Sequence, residues 1–390
     1  MEAEYPLAGL KVLDFSRVLA GPFAGRMLSD LGADVVKVEP PDGDITRNWG
    51  KVIAGLPAYY FQQNAGKRNI SIDLRAAGAR ELVLELAKHA DVLIENYRPD
   101  VMGRLGLGYD ALSEANPRLI MLSISGFGHD GPESRRAAFA PIVHAEAGLM
   151  DRGQRRSGQA RADLPLSVAD TNAALHGLVA LLSAVILRTR TGRGQHIDIA
   201  MMDATVATDD QLHYDLDASG PTGPLPSDTW ETGVGAVLLS GDFRYIWRLV
   251  TGKLGVAEPA TPEMDLAEKI AARRAAMGRF MRQLSSWEEI EEAFARINVA
   301  WGWVRPAALL GDQPTLKHRG AFVEIDDRAG GTRTVTQSPY RWSAAKSGVR
   351  GPAPYRGEHN AEVLTEWLGV GRAEVKRLES VGVLGREVPA

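Results

Sequence analysis

Between Leu10 and about Ala204, short apolar runs alternate with amphipathic stretches, and this alternation limits the fold more than any other property of the 390-residue chain. The run at 10–15 leads through a turn, 16–22, into a helical stretch, 23–31, and then a second run at 34–39. Further runs follow at 69–73, 91–95 and 119–125, with Asn116-Pro117 stopping a helix before the last of them. Across 76–89, Ala79, Leu82, Val83, Leu86 and Ala87 recur at helical spacing. A long helix starting between Pro165 and Asp170 runs to about Arg190, where Gly192 and Gly194 stop it and Arg188 and Arg190 suit the helix dipole. A strand at 195–200 closes the series. Strands alternating with helices predict an α/β fold, a parallel sheet covered on both faces with right-handed crossovers.

The pattern changes at 218–228, a proline- and glycine-rich stretch that reads as a lobe boundary. After it come a stretch at 245–254 and two charged amphipathic helices at 264–284 and 287–297, which predict a smaller α+β lobe rich in helix. A β-like stretch at 319–338 turns at Gly330-Gly331, and helices follow at 358–368 and 372–380. The expected division is a large lobe, 1–215, a linker and small lobe, 216–318, and a C-terminal segment, 319–390.

Composition narrows the function. The chain is 45% hydrophobic and 24% charged, ordinary for a soluble globular protein. A net charge of −4 argues against nucleic-acid or membrane-surface partners. The absence of cysteine rules out disulfides, thiolate metal sites and a cysteine nucleophile, and suits a cytoplasmic location. Residues 1–9 carry Glu2 and Glu4 and do not resemble a signal peptide. The most apolar run, 175–187, is shorter than the ~20 residues of a membrane span and predicts a buried core helix. Gly21 and Gly25 do not complete a dinucleotide fingerprint, and Gly66-Lys67 continues into Arg68 rather than a P-loop serine or threonine. The eight histidines include no His-Glu-x-x-His, so no zinc or other metal site is expected, and no Gly-x-Ser-x-Gly nucleophile elbow occurs either.

A set of blocks in fixed order points further. They begin with Leu7-Ala-Gly-Leu-Lys-Val-Leu-Asp-Phe-Ser-Arg-Val-Leu-Ala-Gly-Pro22 and Leu31-Gly-Ala-Asp-Val-Val-Lys-Val-Glu-Pro-Pro41, then Gly43-Asp44 with Arg47, and Gly66-Lys67-Arg68-Asn69. Glu95-Asn96-Tyr97-Arg98-Pro99, Leu105-Gly106-Leu107-Gly108-Tyr109, Asn116 to Ile120 and Ser125-Gly126-Phe127-Gly128 follow. Asp170, Thr191-Gly192-Arg193-Gly194-Gln195 and Gly357-Glu358-His359-Asn360 complete the set. Together they resemble the class III coenzyme A transferase family, which contains formyl-CoA transferase, carnitine CoA-transferase and α-methylacyl-CoA racemase. The likeness is strong over 7–205 and weaker over 315–385. It implies an interlocked homodimer whose subunits have a large Rossmann-like lobe and a small lobe, the C-terminal segment returning to the large lobe.

The resemblance makes Asp170 the catalytic residue, coenzyme A a substrate rather than a bound cofactor, and an acyl-CoA and a carboxylic acid acceptor the partners. Moving CoA between carboxylates without loss to water calls for a covalent relay through an enzyme carboxylate. A carboxylate at a helix N-terminus is expected to stay ionised, with backbone N–H groups nearby to hold the oxyanion. The family's CoA-contacting positions fall on Val18, Leu19 and Ala20; on Ile72, Asp73, Leu74 and Arg75; on Asn96, Tyr97, Arg98 and Arg104; and on Ala137, Ala138, Phe139 and Ala140. Arg75, Arg98 and Arg104 are the expected phosphate partners. Pro40 and Ala137 stand where some members have basic residues. The racemase histidine position falls on Phe139, with His144 the nearby substitute and Glu146 another candidate, which lowers an α-carbon racemase to an alternative. No run of glycines lies between Gly220 and Gly255; Gly233-Val234-Gly235 comes nearest. A CoA-binding homologue without turnover is the other alternative.

Overall fold

The computed structural model describes residues 4–219 and 227–387, so most of the expected 218–228 linker lies outside the described residues. The chain divides into two compact units, Met1–Asp210 with Gly320–Ala390, and Gln211–Arg319.

Seven strands build the main sheet of the first unit: β1 (Lys11–Asp14), β2 (Asp34–Glu39), β3 (Arg68–Ile72), β4 (Val92–Glu95), β5 (Ile120–Ser125), β6 (His196–Ala200) and β7 (Leu384–Gly385). Their order is β7-β3-β2-β1-β4-β5-β6, parallel throughout except for β7, which runs antiparallel to β3. The chain therefore reverses its winding between β1 and β4, and the crevice beyond the carboxyl ends of these two strands is where doubly wound sheets take ligands.

Alternation along the strands gives the sheet two apolar faces. Leu13, Phe15, Val36, Val38, Ile70, Ile72 and Leu93 face α2 (Ala79–Lys88) and, from the far end of the sequence, α6 (Asn360–Leu368) and α7 (Arg372–Ser380). Val12, Val35, Val92, Ile94, Leu122 and Ile124 face α1 (Ala20–Asp30), α3 (Ala140–Glu146), α4 (Val168–Thr191) and α5 (Met201–Ala207).

Two elements differ from the sequence-based expectation. Helix α1 begins at Ala20, so Pro22 lies inside its first turn, where a proline loses no hydrogen bond. Helix α4 is not a buried core helix. It is long and apolar enough to cross a membrane by length and composition, but here its Ala169, Ala173, Ala174, Gly177 and Leu178 face packs on the sheet. Val179 and Ile186 on its other face stay 66% and 64% exposed.

In the second unit an antiparallel sheet, strands Ser227–Glu231, Ala236–Ser240 and Ala300–Trp303, packs with helices Phe243–Leu254, Leu266–Gln283 and Trp287–Ile297 around Val237, Trp247, Met277 and Phe294. Gly233-Val234-Gly235 lies in its first hairpin turn.

Charge is buried in the first unit beside the apolar core. Lys67 Nζ donates to Asp14 Oδ2 at 2.8 Å, and to Pro22 O and Asn64 Oδ1 at 2.9 Å each, all out of solvent. Lys37 pairs with Asp44 at 3.2 Å, both fully buried. Glu39 accepts from Arg47, the Tyr60 hydroxyl, Asn69 and the Asp44 amide. Burial brings the Lys67 pKa down to about 8, against the pull of Asp14. Removing one partner of a buried pair leaves an uncompensated charge. Lys67→Ala is expected to lower stability by about 3–5 kcal/mol, read as a fall in the urea unfolding midpoint.

Candidate active site

Asp170 is the third residue of α4 and lies where three helices begin. The backbone N–H groups of Ala20 and Ala140 lie near its carboxylate and favour its charged form. These open α1 and α3, where first-turn amides have no partner within their own helix. Burial pushes the Asp170 pKa from 3.8 up to about 6, against the two nearby amides. The group is still mainly ionised at neutral pH, but burial outweighs the helix N-terminus that was expected to keep the pKa low.

The turn leading into α1 is fixed at almost every backbone group. Ser16 N donates to Asp14 Oδ1 at 3.0 Å and Ser16 O accepts from Lys37 Nζ at 2.8 Å. Val18 N donates to Asp44 Oδ2 at 3.2 Å. Asn96, at the end of β4, accepts from Arg17 N at 2.7 Å and donates to Arg17 O at 2.8 Å. Val18 itself has φ of 67°, a left-handed conformation that a β-branched residue rarely adopts. Gly21 is obligatory, because a Cβ there would meet Ser16 Cβ at 2.1 Å.

All the positions expected to contact CoA lie at or beyond the carboxyl ends of strands. Val18 to Ala20 lie beyond β1, Asn96 to Arg98 and Arg104 beyond β4, Ile72 at the end of β3 with Asp73 to Arg75 after it, and Ala137 to Ala140 beyond β5. The first two groups flank the crevice between β1 and β4. Arg98 and Arg104 are exposed, and their guanidinium groups make no ion pair among the described residues. Arg75 is 75% exposed and pairs with Asp73 at 3.3 Å. Other positions are occupied differently. Ile72 is core, the Asn96 side chain clasps Arg17, and one face of the Tyr97 ring carries the Arg17 guanidinium at 5.2 Å. Ala20 and Ala140 place amides near Asp170. Phe139 is 68% exposed, and Arg136 beside Ala137 is tied to Glu133 and Glu146. Gly126 lets the segment after β5 fold back, since its Cβ would meet Ala138 Cβ at 2.3 Å.

Comparisons with known proteins identify the family. The family model for CoA-transferase family III matches residues 7–360. The chain belongs to CoA-transferase family III. A succinate–glutarate CoA-transferase of Agrobacterium fabrum is 33% identical to this transferase, covering 93% of this chain and 95% of its own length. A formyl-CoA:oxalate CoA-transferase of Streptomyces avermitilis is 29% identical over 97% and 99% of the two chains. A crystal structure of a CaiB/BaiF family protein from Brucella suis superposes with a TM-score of 0.80 at 33% identity, covering 93% of this chain and all of that one. The enzyme acts between acyl-CoA thioesters and carboxylic acids.

Two residues of the transferase escaped the sequence analysis. The Tyr59 phenol is pushed up to about 12 by burial and by the charges of Asp170 and Asp44. Arg17 lies over Tyr97 in the crevice. Neither has a local signal: one is an aromatic within a helix and the other an arginine within a turn. His144 has both ring nitrogens engaged, Nδ1 with Asp163 at 2.7 Å and Nε2 with the Ala169 amide at 3.2 Å. It therefore offers no free base for proton transfer at an α-carbon, and Glu146 is held by Arg136 on the surface.

A raised carboxyl pKa makes the native state hold its proton where the unfolded chain has released it. Stability is thus lost as the pH rises from 3.8 through about 6. Asp170→Asn removes that burden. The variant is expected to be more stable than wild type at pH 7 by about 2–3 kcal/mol, a gain that vanishes below pH 4, measured by denaturant unfolding at both pH values.

Proposed function

We propose that the transferase moves CoA from an acyl-CoA to an acceptor carboxylic acid by a covalent relay on Asp170, in the cytoplasm. The Asp170 carboxylate attacks the thioester carbonyl, the carbon–sulfur bond breaks, and a mixed anhydride and CoA thiolate result. The thiolate attacks the aspartyl carbonyl of the anhydride, releasing the donor acid and leaving an aspartyl-CoA thioester. The acceptor carboxylate attacks that thioester, and CoA thiolate returns to the acceptor carbonyl, restoring Asp170. Each attack turns a carbonyl oxygen into an oxyanion, which is where the Ala20 and Ala140 amides can contribute.

The observation that carries this reading is the Asp170 carboxylate itself: buried, mainly ionised at pH 7, with amides from two separate helices nearby. The Val18–Ala20 turn and the unpaired Arg98 and Arg104 support CoA lying over the Rossmann-like crevice between β1 and β4, its phosphates met by guanidinium groups. Relatives named for succinate, glutarate and oxalate favour small dicarboxylic acids as acceptors.

Asp170→Ala is expected to abolish transfer while retaining CoA binding and the circular dichroism of the wild type. Mass spectrometry of wild type incubated with succinyl-CoA, formyl-CoA or acetyl-CoA should find a hydroxylamine-sensitive adduct on Asp170. An active Asp170→Ala enzyme would end the proposal. The rate of adduct formation should rise with pH through about 6 as the carboxylate ionises.

We further propose that two copies interlock, with the exposed stripe of Leu175, Val179 and Ile186 on α4 covered by the partner. An apolar row of this length is costly to leave in water. Val179→Glu should shift the sedimentation equilibrium from dimer toward monomer.

A further inference from the structure

The opening turn of α4 has no cap of its own, since the Ser167 side chain makes no capping hydrogen bond. The Ala169 amide, one residue before Asp170, donates instead to Nε2 of His144, a fully buried side chain on α3. A backbone N–H can only donate, so Nε2 must present its lone pair and the ring proton must sit on Nδ1. Nδ1 faces Asp163 Oδ1 at 2.7 Å. Asp163 also accepts from the Leu164 amide at 2.8 Å, and the His144 bond holds its carboxyl below the usual carboxylate range. Asp163 therefore stays an acceptor and fixes the tautomer that the Ala169 amide needs.

The two helices meet at two points. Helix α4 gives its Ala169 N–H to an imidazole one turn along α3, and the first amide of α3, Ala140 N–H, lies beside the α4 carboxylate. We propose that His144, with its tautomer set by Asp163, is a positioning residue that holds the first turn of α4 so that the Asp170 carboxylate keeps its aim at the thioester carbon. This rests on Asp170 being the nucleophile. His144 touches neither substrate nor the reacting atoms; it acts by preventing α4 from sliding along α3. A displacement near 1 Å at a nucleophile can cost about a hundredfold in rate.

Variants that keep different halves of the imidazole separate this role from simple packing. His144→Gln keeps an acceptor at the Nε2 end. His144→Asn keeps a donor at the Nδ1 end for Asp163 and leaves the Ala169 amide without a partner. With succinyl-CoA as probe, His144→Asn should slow single-turnover formation of the Asp170 adduct about 10- to 100-fold, with the dissociation constant for succinyl-CoA and the circular dichroism unchanged. His144→Gln should recover to within about fivefold of wild type. Asp163→Asn, at a partly exposed position, should give a smaller loss in the same step and serves if His144→Asn fails to fold. Equal losses in the Gln and Asn variants, a loss in substrate affinity matching the loss in rate, or a wild-type rate in His144→Asn or Asp163→Asn would each overturn the inference. Asp170→Ala run alongside keeps the two claims apart. An active Asp170→Ala removes the nucleophile and this role together, whereas an inactive Asp170→Ala with a wild-type His144→Asn removes this role alone.

Discussion

The turn from β1 into α1 is held by buried charge, and the site hangs from it. Left-handed backbone at a valine costs about 1–2 kcal/mol, so Val18 keeps its conformation only because its surroundings leave no alternative. Those surroundings come from four separate stretches of chain: Asp14 on β1, Lys37 on β2, Asp44 beyond β2 and Asn96 beyond β4. Two of them flank the crevice, so one network both shapes the ligand-binding edge and sets where α1 begins. The start of α1 in turn sets where the Ala20 amide points.

Glu39 and Asp170 show how one fold keeps two carboxylates in different states. Glu39 is almost wholly buried, yet Arg47, Tyr60, Asn69 and the Asp44 amide saturate it, and its pKa falls below the ordinary glutamate range against the cost of burial. Asp170 has two amides nearby and, among the described residues, no ion pair, and its pKa rises. The first is a fixed anion that ties the loop after β2 to β3. The second is an ion held with few partners, which leaves its oxygens able to form a new bond.

The strands were readable because continuous apolar runs of four to six residues survive in a sheet buried on both faces. The run at 34–39 became β2 without adjustment. The charges inside such runs were not interpretable. Lys37 and Glu39 look like solvent-facing residues of a half-exposed strand, and only the fold brings Asp44 and Arg47 to them. Many residues of the family blocks proved to be members of such pairs: Lys67 with Asp14, Arg68 with Asp34, and Asn69 with Gly357 and His359. Asp170 was legible through its block. Tyr59 and Arg17 were not, because their approach to the site depends on where α1 and its neighbours settle. The expectation for α4 failed for a related reason: apolar content says that a face seeks cover, not that this fold supplies it.

Strand β7 is two residues long, but it completes the β3 edge. Leu384 and Gly385 pair with Ile72 and Ser71, and Val383 O receives the Asp73 amide at the start of the 72–75 segment. Asn360 locks the arrangement by accepting from Ser71 N and donating to Gly385 O. During synthesis β3 leaves the ribosome roughly three hundred residues ahead of the strand that covers it, a separation that delays closure of the pairing. The nascent sheet must therefore wait with an open, hydrogen-bonding margin through translation of the entire second unit, the interval in which a chaperone or a neighbouring nascent chain has its best opportunity to engage it.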